Sequence, residues 1–422
     1  MITRVEAHQY RCLKYISQPL GEFHVMVGPN GSGKSTCLDI VSFLGDFLRD
    51  GPEAAVLGGR ARQFQEMVFG QQGDQFELAI EMNIPVGMGN GKNGNAPVVC
   101  RYELGLGQQA GEGIKILDET LWLVTQAGLP RTGQSEMQRQ LFPVEPSVPE
   151  TLITAPGKKR SPQGWRKVVT KVSESGNDYF RAETGEWNNL FRLGPHRAAL
   201  ANLPEDMVKF PAATYFKRAL LEGVQTLALN SAAMRQPASP SVSGKFRPDG
   251  SNLPQVVQTL RRGRAFKDWL AHVQTVLTDV QDVEVVEREE DRHLYLRVRY
   301  DTGIQVPSWL LSDGTLRFFA LTLLAYIKEK DEIYLIEEPE NGVHPRAIEA
   351  VFQSLSSVYD SQVLLATHSS LLLGLARPDQ ILCFAKNPSG ATDIVIGSQH
   401  PRLRDWKGQV DLGTLYASGV LG

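Results

Sequence analysis

Phe23-His24-Val25-Met26-Val27-Gly28-Pro29-Asn30-Gly31-Ser32-Gly33-Lys34-Ser35-Thr36 is the stretch on which the fold turns. Five strand-forming residues run straight into a glycine-rich octet. The apolar positions that follow recur with a helical period to about Leu48. The octet Gly28–Ser35 satisfies G-x-x-x-x-G-K-[ST] at each fixed position, in the strand–loop–helix context that its chemistry requires. Glycines let the backbone close on an anion that a β-carbon would hold off. The loop N–H groups and the positive end of the helix then face that anion. Lys34 is placed for β- and γ-phosphates, Ser35 for Mg2+ and Thr36 for an α-phosphate. A glycine-rich turn that merely starts a helix is the plainer alternative; the register of strand, loop and helix argues against it.

Working outward, a second apolar strand, Ile333-Tyr334-Leu335-Ile336, ends in Glu337-Glu338-Pro339-Glu340. A buried strand delivers Glu337 to the mouth of a sheet, where a carboxylate can hold Mg2+ through its water shell. Glu338 projects one residue further, where a general base can orient an attacking water. Taken alone, two acids at a strand end also fit an exposed turn. Leu311-Ser312-Asp313-Gly314-Thr315 precedes an amphipathic helix predicted over 316–327, and reads as an ordinary N-cap or as a second anion site. Val363–Ala366 is a further apolar strand, ending in Thr367-His368-Ser369. A histidine there either bonds a γ-phosphate or is satisfied in a core.

The order of these pieces (phosphate loop, Leu-Ser-x-Gly, apolar strand with Glu-Glu, strand with His) resembles the ATP-binding-cassette ATPase superfamily. More narrowly, it is similar to the non-transporter branch that contains RecF, SMC and the OLD (overcoming lysogenization defect) ATPases. Glu337 to Pro345 is similar to the (D/E)EPExGxHP element of OLD-like AAA-family ATPases. Asp249 to Leu253 and the terminal stretch Gly413 to Gly422 resemble that branch too. The likeness spans roughly residues 1–125 and 283–422, with patches between them.

The resemblance implies ATP and Mg2+ as ligands. Asn30, Gly31, Gly33, Lys34, Ser35 and Thr36 would hold the nucleotide, and Ser35 and Glu337 the metal. Glu338 would be the catalytic base and His368 the switch histidine. Ser312 and Gly314 match the signature motif, which in this family contacts the γ-phosphate of nucleotide on the other subunit; Asn341 to His344 occupy the D-loop position. A homodimer or higher homo-oligomer follows. Asp313 and Thr315 stand where transporters often have Gly and Gln, and Glu337 replaces the commoner Asp, which argues against a transporter subunit. Gln71 and Gln72 are the candidates for a glutamine loop. Arg11 matches an early arginine of RecF-like proteins, and a surface arginine fits equally. OLD enzymes carry a Toprim nuclease after the ATPase. Here 54 residues follow His368, and Asp379, Asp393, Asp405 and Asp411 form no Glu…Asp-x-Asp metal set, so no nuclease is expected. The resemblance thus implies an ATP-driven switch that controls a separately encoded nuclease or toxin effector in bacterial anti-phage defence. The alternative is a RecF-like ATPase that binds DNA in repair or recombination.

Composition sets the outer bounds. The 422 residues carry 44 Lys+Arg and 47 Asp+Glu, a formal charge of −3, which excludes a protein that wraps nucleic acid over most of its surface. The longest apolar run, Phe318–Ile327, is ten residues, against roughly 20 for a membrane span, so no membrane partner is expected. No apolar h-region opens the chain. Cys12, Cys37, Cys100 and Cys383 lie far apart without a CxxC, which reads as reduced thiols in a cytoplasm.

The expected fold class is α/β: an ABC-ATPase-like P-loop core with an antiparallel β subdomain and an inserted, mostly helical region. Residues 1–127 form an N-terminal ATPase lobe, with a β-meander from strands at 76–84, 97–106 and 113–124. Residues 128–282 form a loop-rich, helical insertion, with a hairpin near 165–173 and 178–183 and helices near 204–228 and 253–280. Residues 283–422 form a C-terminal lobe whose βαβ alternation argues a parallel sheet. Lys158-Lys159-Arg160…Arg166-Lys167 and Arg261-Arg262-Gly263-Arg264 read as solvated charge, or as contacts to DNA phosphates or a partner's acids. Gly194-Pro195-His196-Arg197 either brings Arg197 toward nucleotide or simply starts a helix. The insertion is the expected docking region for an effector.

Overall fold

The computed structural model describes residues 1–88, 96–109, 111–129, 148–155, 160–172, 176–184, 188–241, 245–403 and 411–419. From the N-terminus run β1 (Ile2–Tyr10), β2 (Leu13–Pro19), β3 (Phe23–Val27), α1 (Lys34–Leu57), β4 (Gln75–Asn83), β5 (Pro97–Gly107) and β6 (Lys115–Thr125). There follow β7 (Trp165–Val172), β8 (Asn177–Arg181), β9 (Asn188–Phe191), α2 (Pro211–Arg218), β10 (Val224–Leu227), α3 (Ser231–Arg235), α4 (Leu253–Arg261) and α5 (Ala265–Gln274). Next come β11 (Val280–Glu287), β12 (Leu294–Tyr300), β13 (Gln305–Pro307), α6 (Asp313–Leu323), β14 (Ile333–Glu337) and α7 (Ile348–Ser356). The chain closes with β15 (Gln362–Ala366), α8 (Ser370–Leu375), β16 (Ile381–Lys386), β17 (Thr392–Ile396) and α9 (Leu412–Ala417). The fold is mixed α/β, and its packing forms two units, each discontinuous in sequence.

One unit comprises Met1–Gly21, Asn30–Val224 and Ala385–Ile394. It is built on an eight-stranded sheet of order β2-β1-β4-β5-β6-β7-β8-β9, antiparallel throughout. The expected meander supplies β4 to β6. Residues 165–191, inside the stretch read as an insertion, add three more strands; the turn residues 173–175 lie outside the described residues, as do 89–95 and 130–147. Helix α1 outruns the expected limit at Leu48 because Gly51, at φ +84°, absorbs a kink before Pro52. Its aromatic contacts with the sheet run through Tyr10, Phe43 and Phe76.

The same sheet buries charge. Arg101 of β5 pairs with Glu6 at 2.6 Å, Glu81 at 2.9 Å and Glu103 at 2.8 Å. Further buried carboxylates peg crossing segments to the strands. Glu77 accepts from the Leu152 and Thr151 groups at 2.6 and 2.7 Å, Glu103 from the Thr154 N–H at 2.9 Å, and Glu119 from the Ala199 and Leu200 N–H groups at 2.6 and 2.8 Å. Glu183 caps the start of α2 through the Ala212 and Ala213 N–H groups. Each is a charge-assisted bond that satisfies a buried acceptor and fixes a loop in place.

The other unit comprises Glu22–Pro29, Gln225–Phe384 and Val395–Gly422. Its sheet has the order β10-β14-β15-β3-β16-β17, and β14, β15, β3 and β16 are parallel neighbours. Apolar on both faces, these strands need cover on both, as parallel sheets do. Ile333 to Ile336 are buried with Glu337 exposed at the strand end, and all of β15 is buried. Helices α4 to α7 pack a core around Trp269, Phe319, Leu316 and Val351, in which the Trp269 indole N–H donates to Thr322 Oγ1 at 3.1 Å. A three-stranded antiparallel sheet, β11-β12-β13, stands beside them. Of the helix expected over 204–228, only Pro211–Arg218 is α-helical; a π turn at Ala219–Gly223 then releases the chain into β10. Among the described residues no helix is long and apolar enough to cross a membrane.

Candidate nucleotide site

Three parallel strands end on one edge of the second unit. The register sets Glu337 opposite Ala366, and Ala366 opposite Met26. The chain therefore leaves β14 at Glu337-Glu338, β15 at Thr367-His368 and β3 at Gly28-Pro29 side by side. This is the carboxyl edge, where open α/β sheets bind ligands. Glu338 adopts φ +47°, uncommon for a residue with a side chain, and its N–H donates to Ala366 O at 2.8 Å. Its carboxylate accepts from the Asn341 side-chain amide. Glu340 turns back to accept from Thr367 Oγ1 at 2.5 Å and from the His368 N–H at 3.2 Å. The Tyr416 hydroxyl donates to Gly28 O at 3.3 Å and lies 3.4 Å from His368 Nδ1. Glu337, Glu338 and His368 are all exposed. A cavity of about 780 Å3 opens beside the two glutamates, walled by Asn341, Arg235 and Arg317. At Gly28 (φ +148°) a β-carbon would stand 2.2 Å from Phe384 O, so that position admits glycine alone.

The rest of the loop belongs to the first unit. Gly31 and Gly33 have φ of +72° and +105°, and a β-carbon on Gly33 would fall 2.5 Å from Thr392 Oγ1. That hydroxyl clamps the loop by donating to Ser32 O at 2.9 Å. Ser32 Oγ is buried, with no partner among the described residues. Lys34 is buried, Asn30 and Ser35 are exposed, and Thr36 Oγ1 lies 3.4 Å from Cys12 Sγ. An orphaned hydroxyl inside a backbone cradle cleared of β-carbons fits a polyphosphate. The Ser35 hydroxyl and the Glu337 carboxylate are hard oxygen donors of the kind Mg2+ takes. Arg11 is committed elsewhere: it pairs with Asp39 of α1 at 3.3 Å and donates to Arg60 O at 3.0 Å. Arg197 is exposed, while His196 Nδ1 bonds Ile114 O at 2.8 Å. Gln71 and Gln72 are exposed on a short turn.

The signature stretch has a structural reason of its own. Ser312 caps α6 by accepting from the Thr315 N–H at 3.1 Å. A β-carbon on Gly314 would stand 2.6 Å from Gly342 O, so the D-loop backbone can lie on α6 only at a glycine. Asp313 pairs with Arg235, whose guanidinium also donates to Leu311 O at 2.9 Å. Ser312 to Thr315 line a second cavity, of about 730 Å3, with Gly342, His344 and Arg346. Asp249 to Leu253, marked in the sequence by likeness alone, form a turn. Buried Asn252 accepts from the Arg247 N–H at 2.9 Å, and Gly250 packs on Met234. Sequence reading passed over Thr392 and Arg235, and marked Tyr416 by likeness alone, without a role. Each touches a motif from a distant segment, and no spacing rule announces such a contact.

A family model described as "AAA domain, putative AbiEii toxin, Type IV TA system" matches residues 23–374. No curated protein sequence matches the chain. Among solved structures, the SMC head bound to the C-winged helix domain of ScpA is similar, with a TM-score of 0.52 at 15% identity over 93% of this chain and 96% of that one. The Smc head with an extended coiled coil bound to the C-terminal domain of ScpA derived from Pyrococcus furiosus scores 0.45 at 12% identity, over 93% and 95%. The SMC head from Thermotoga maritima scores 0.42 at 9% identity, over 94% and 98%. The first likeness is one of fold alone.

Proposed function

The chain belongs to the AAA_21 family of AAA domains, and on that premise we propose that it is an ATP-binding and ATP-hydrolysing switch, dimeric around nucleotide, that governs a separately encoded effector. The observation that carries this reading is the shared carboxyl edge of β3, β14 and β15, where the phosphate loop begins and where Glu337, Glu338 and His368 emerge. In it the loop amides and Lys34 bind the β- and γ-phosphates. The Ser35 hydroxyl and the Glu337 carboxylate would hold Mg2+, which when bound would neutralise phosphate charge. Glu338 orients a water and takes its proton as the water oxygen bonds the γ-phosphorus and the bond to the β,γ-bridging oxygen breaks, releasing ADP and phosphate. His368 bonds the γ-phosphate. Ser312 and Gly314 serve the nucleotide of a second copy. The family's description, "putative AbiEii toxin, Type IV TA system", supports a place in defence; the separate effector, a nuclease or toxin, rests on the resemblance carried by Glu337 to Pro345.

Lys34→Ala should lose nucleotide binding, measured by calorimetry, whereas Glu338→Gln should bind ATP and release no phosphate. Equal hydrolysis by wild type and Glu338→Gln would remove Glu338 from the base role. The DNA-clamping alternative draws little support from the basic clusters. Arg261 is paired with Asp282 at 2.9 Å and lies over the Phe266 ring, Lys167 lies over Trp122, and Lys158 and Lys159 fall outside the described residues. Salt-sensitive DNA binding by the purified chain would restore that alternative.

A further inference from the structure

Lys386 ends β16 with an exposed side chain. Its ammonium Nζ stands 3.4 Å from the point that a β-carbon on Gly31 would occupy, at the crest of the phosphate loop. The same loop presents its amide N–H groups and the start of α1, which favour an anion. Arg11 and Arg60 of the same unit instead face α1 and pair with Asp39 at 3.3 and 2.7 Å. Among the described residues no carboxylate lies within ion-pair distance of Lys386. An exposed ammonium beside an anion-receptive loop, with no acid of its own, is placed to meet an anion bound there. Buried Ser32 Oγ, unpartnered in the same loop, points the same way.

We propose that Lys386 is a second cationic ligand of the bound polyphosphate, reaching it over Gly31 from outside the loop motif. The proposal rests on the nucleotide reading above and adds to it a residue some 350 positions from the motif.

The test is calorimetric titration of the full chain with Mg-ATP and Mg-ADP at two salt concentrations, for wild type, Lys386→Met and Lys386→Arg. Lys386→Met should weaken both nucleotides about tenfold and flatten the salt dependence, as loss of one charge-assisted contact does. Lys386→Arg should restore most of the affinity. Unchanged affinity and salt slope in Lys386→Met would overturn the assignment and leave the nucleotide reading intact. A loss that Lys386→Arg fails to rescue, with a lowered melting temperature, would also overturn it. Wild type that binds neither nucleotide would overturn both.

Discussion

At the scale of single residues, two contacts decide how the edge works. Asn341 donates to the Glu338 carboxylate from within the same turn, while Glu338 is held at φ +47°. Asn341 is thus a positioning residue for the proposed base. Asn341→Ala should lower kcat about tenfold or more with little change in nucleotide affinity, the pattern of lost orientation. Comparable losses in both parameters would assign Asn341 to binding instead. Gly314 meets a different limit, because a methyl there collides with Gly342 O at 2.6 Å. Gly314→Ala should cost about 1–3 kcal/mol in urea unfolding, the usual range for overpacking. A neutral result would show that the D-loop can retreat from α6.

Elements explain which parts could be foreseen. Strands β14 and β15 and the start of α1 are written in continuous apolar runs and a glycine motif, so their places and their edge were readable. Strands β9, β10 and β13 are three or four residues long, and their pairing is decided by neighbours far off in sequence. The buried polar row of the eight-stranded sheet was equally hidden: Glu103 and Arg101 alternate with apolar residues as a solvated strand would, yet face covered loops. Arg101→Ala should therefore be costly, about 3–5 kcal/mol, since it strands three carboxylates, one of them fully buried. Thermal unfolding measures it, and a shift typical of a surface ion pair would refute the burial argument. Acidity carries a sign as well. Burial pushes the Glu119 carboxyl up, against the opposing Leu200 and Ala199 N–H bonds. A raised folded pKa makes this group's contribution largest below the ordinary carboxyl range, and it declines as pH rises toward the folded value. Glu119→Gln should remove that declining component from urea midpoints taken at about pH 4 to 7. Parallel pH profiles for the two proteins would count against it.

For the whole molecule, the two units assign the motifs unevenly: Gly28 and Pro29 go with the acids and His368, and Asn30 onward goes with the antiparallel sheet. The proposed dimer is testable by light scattering of Glu338→Gln with Mg-ATP, which should give twice the monomer mass; a strict monomer would sink it. The chain's path has a consequence for synthesis. Strand β3 is made early, and its sheet neighbours β15 and β16 follow about 330 and 350 residues later. At ~5–20 residues per second, Phe23–Val27 waits roughly 20 to 70 seconds on the ribosome with both hydrogen-bonding edges open. Such a segment invites chaperone capture or pairing with a stray strand. Soluble yield should thus depend on translation speed and on trigger-type chaperones more than the stability of the finished protein would suggest. Fragments cut anywhere between α1 and β15 should aggregate through this strand.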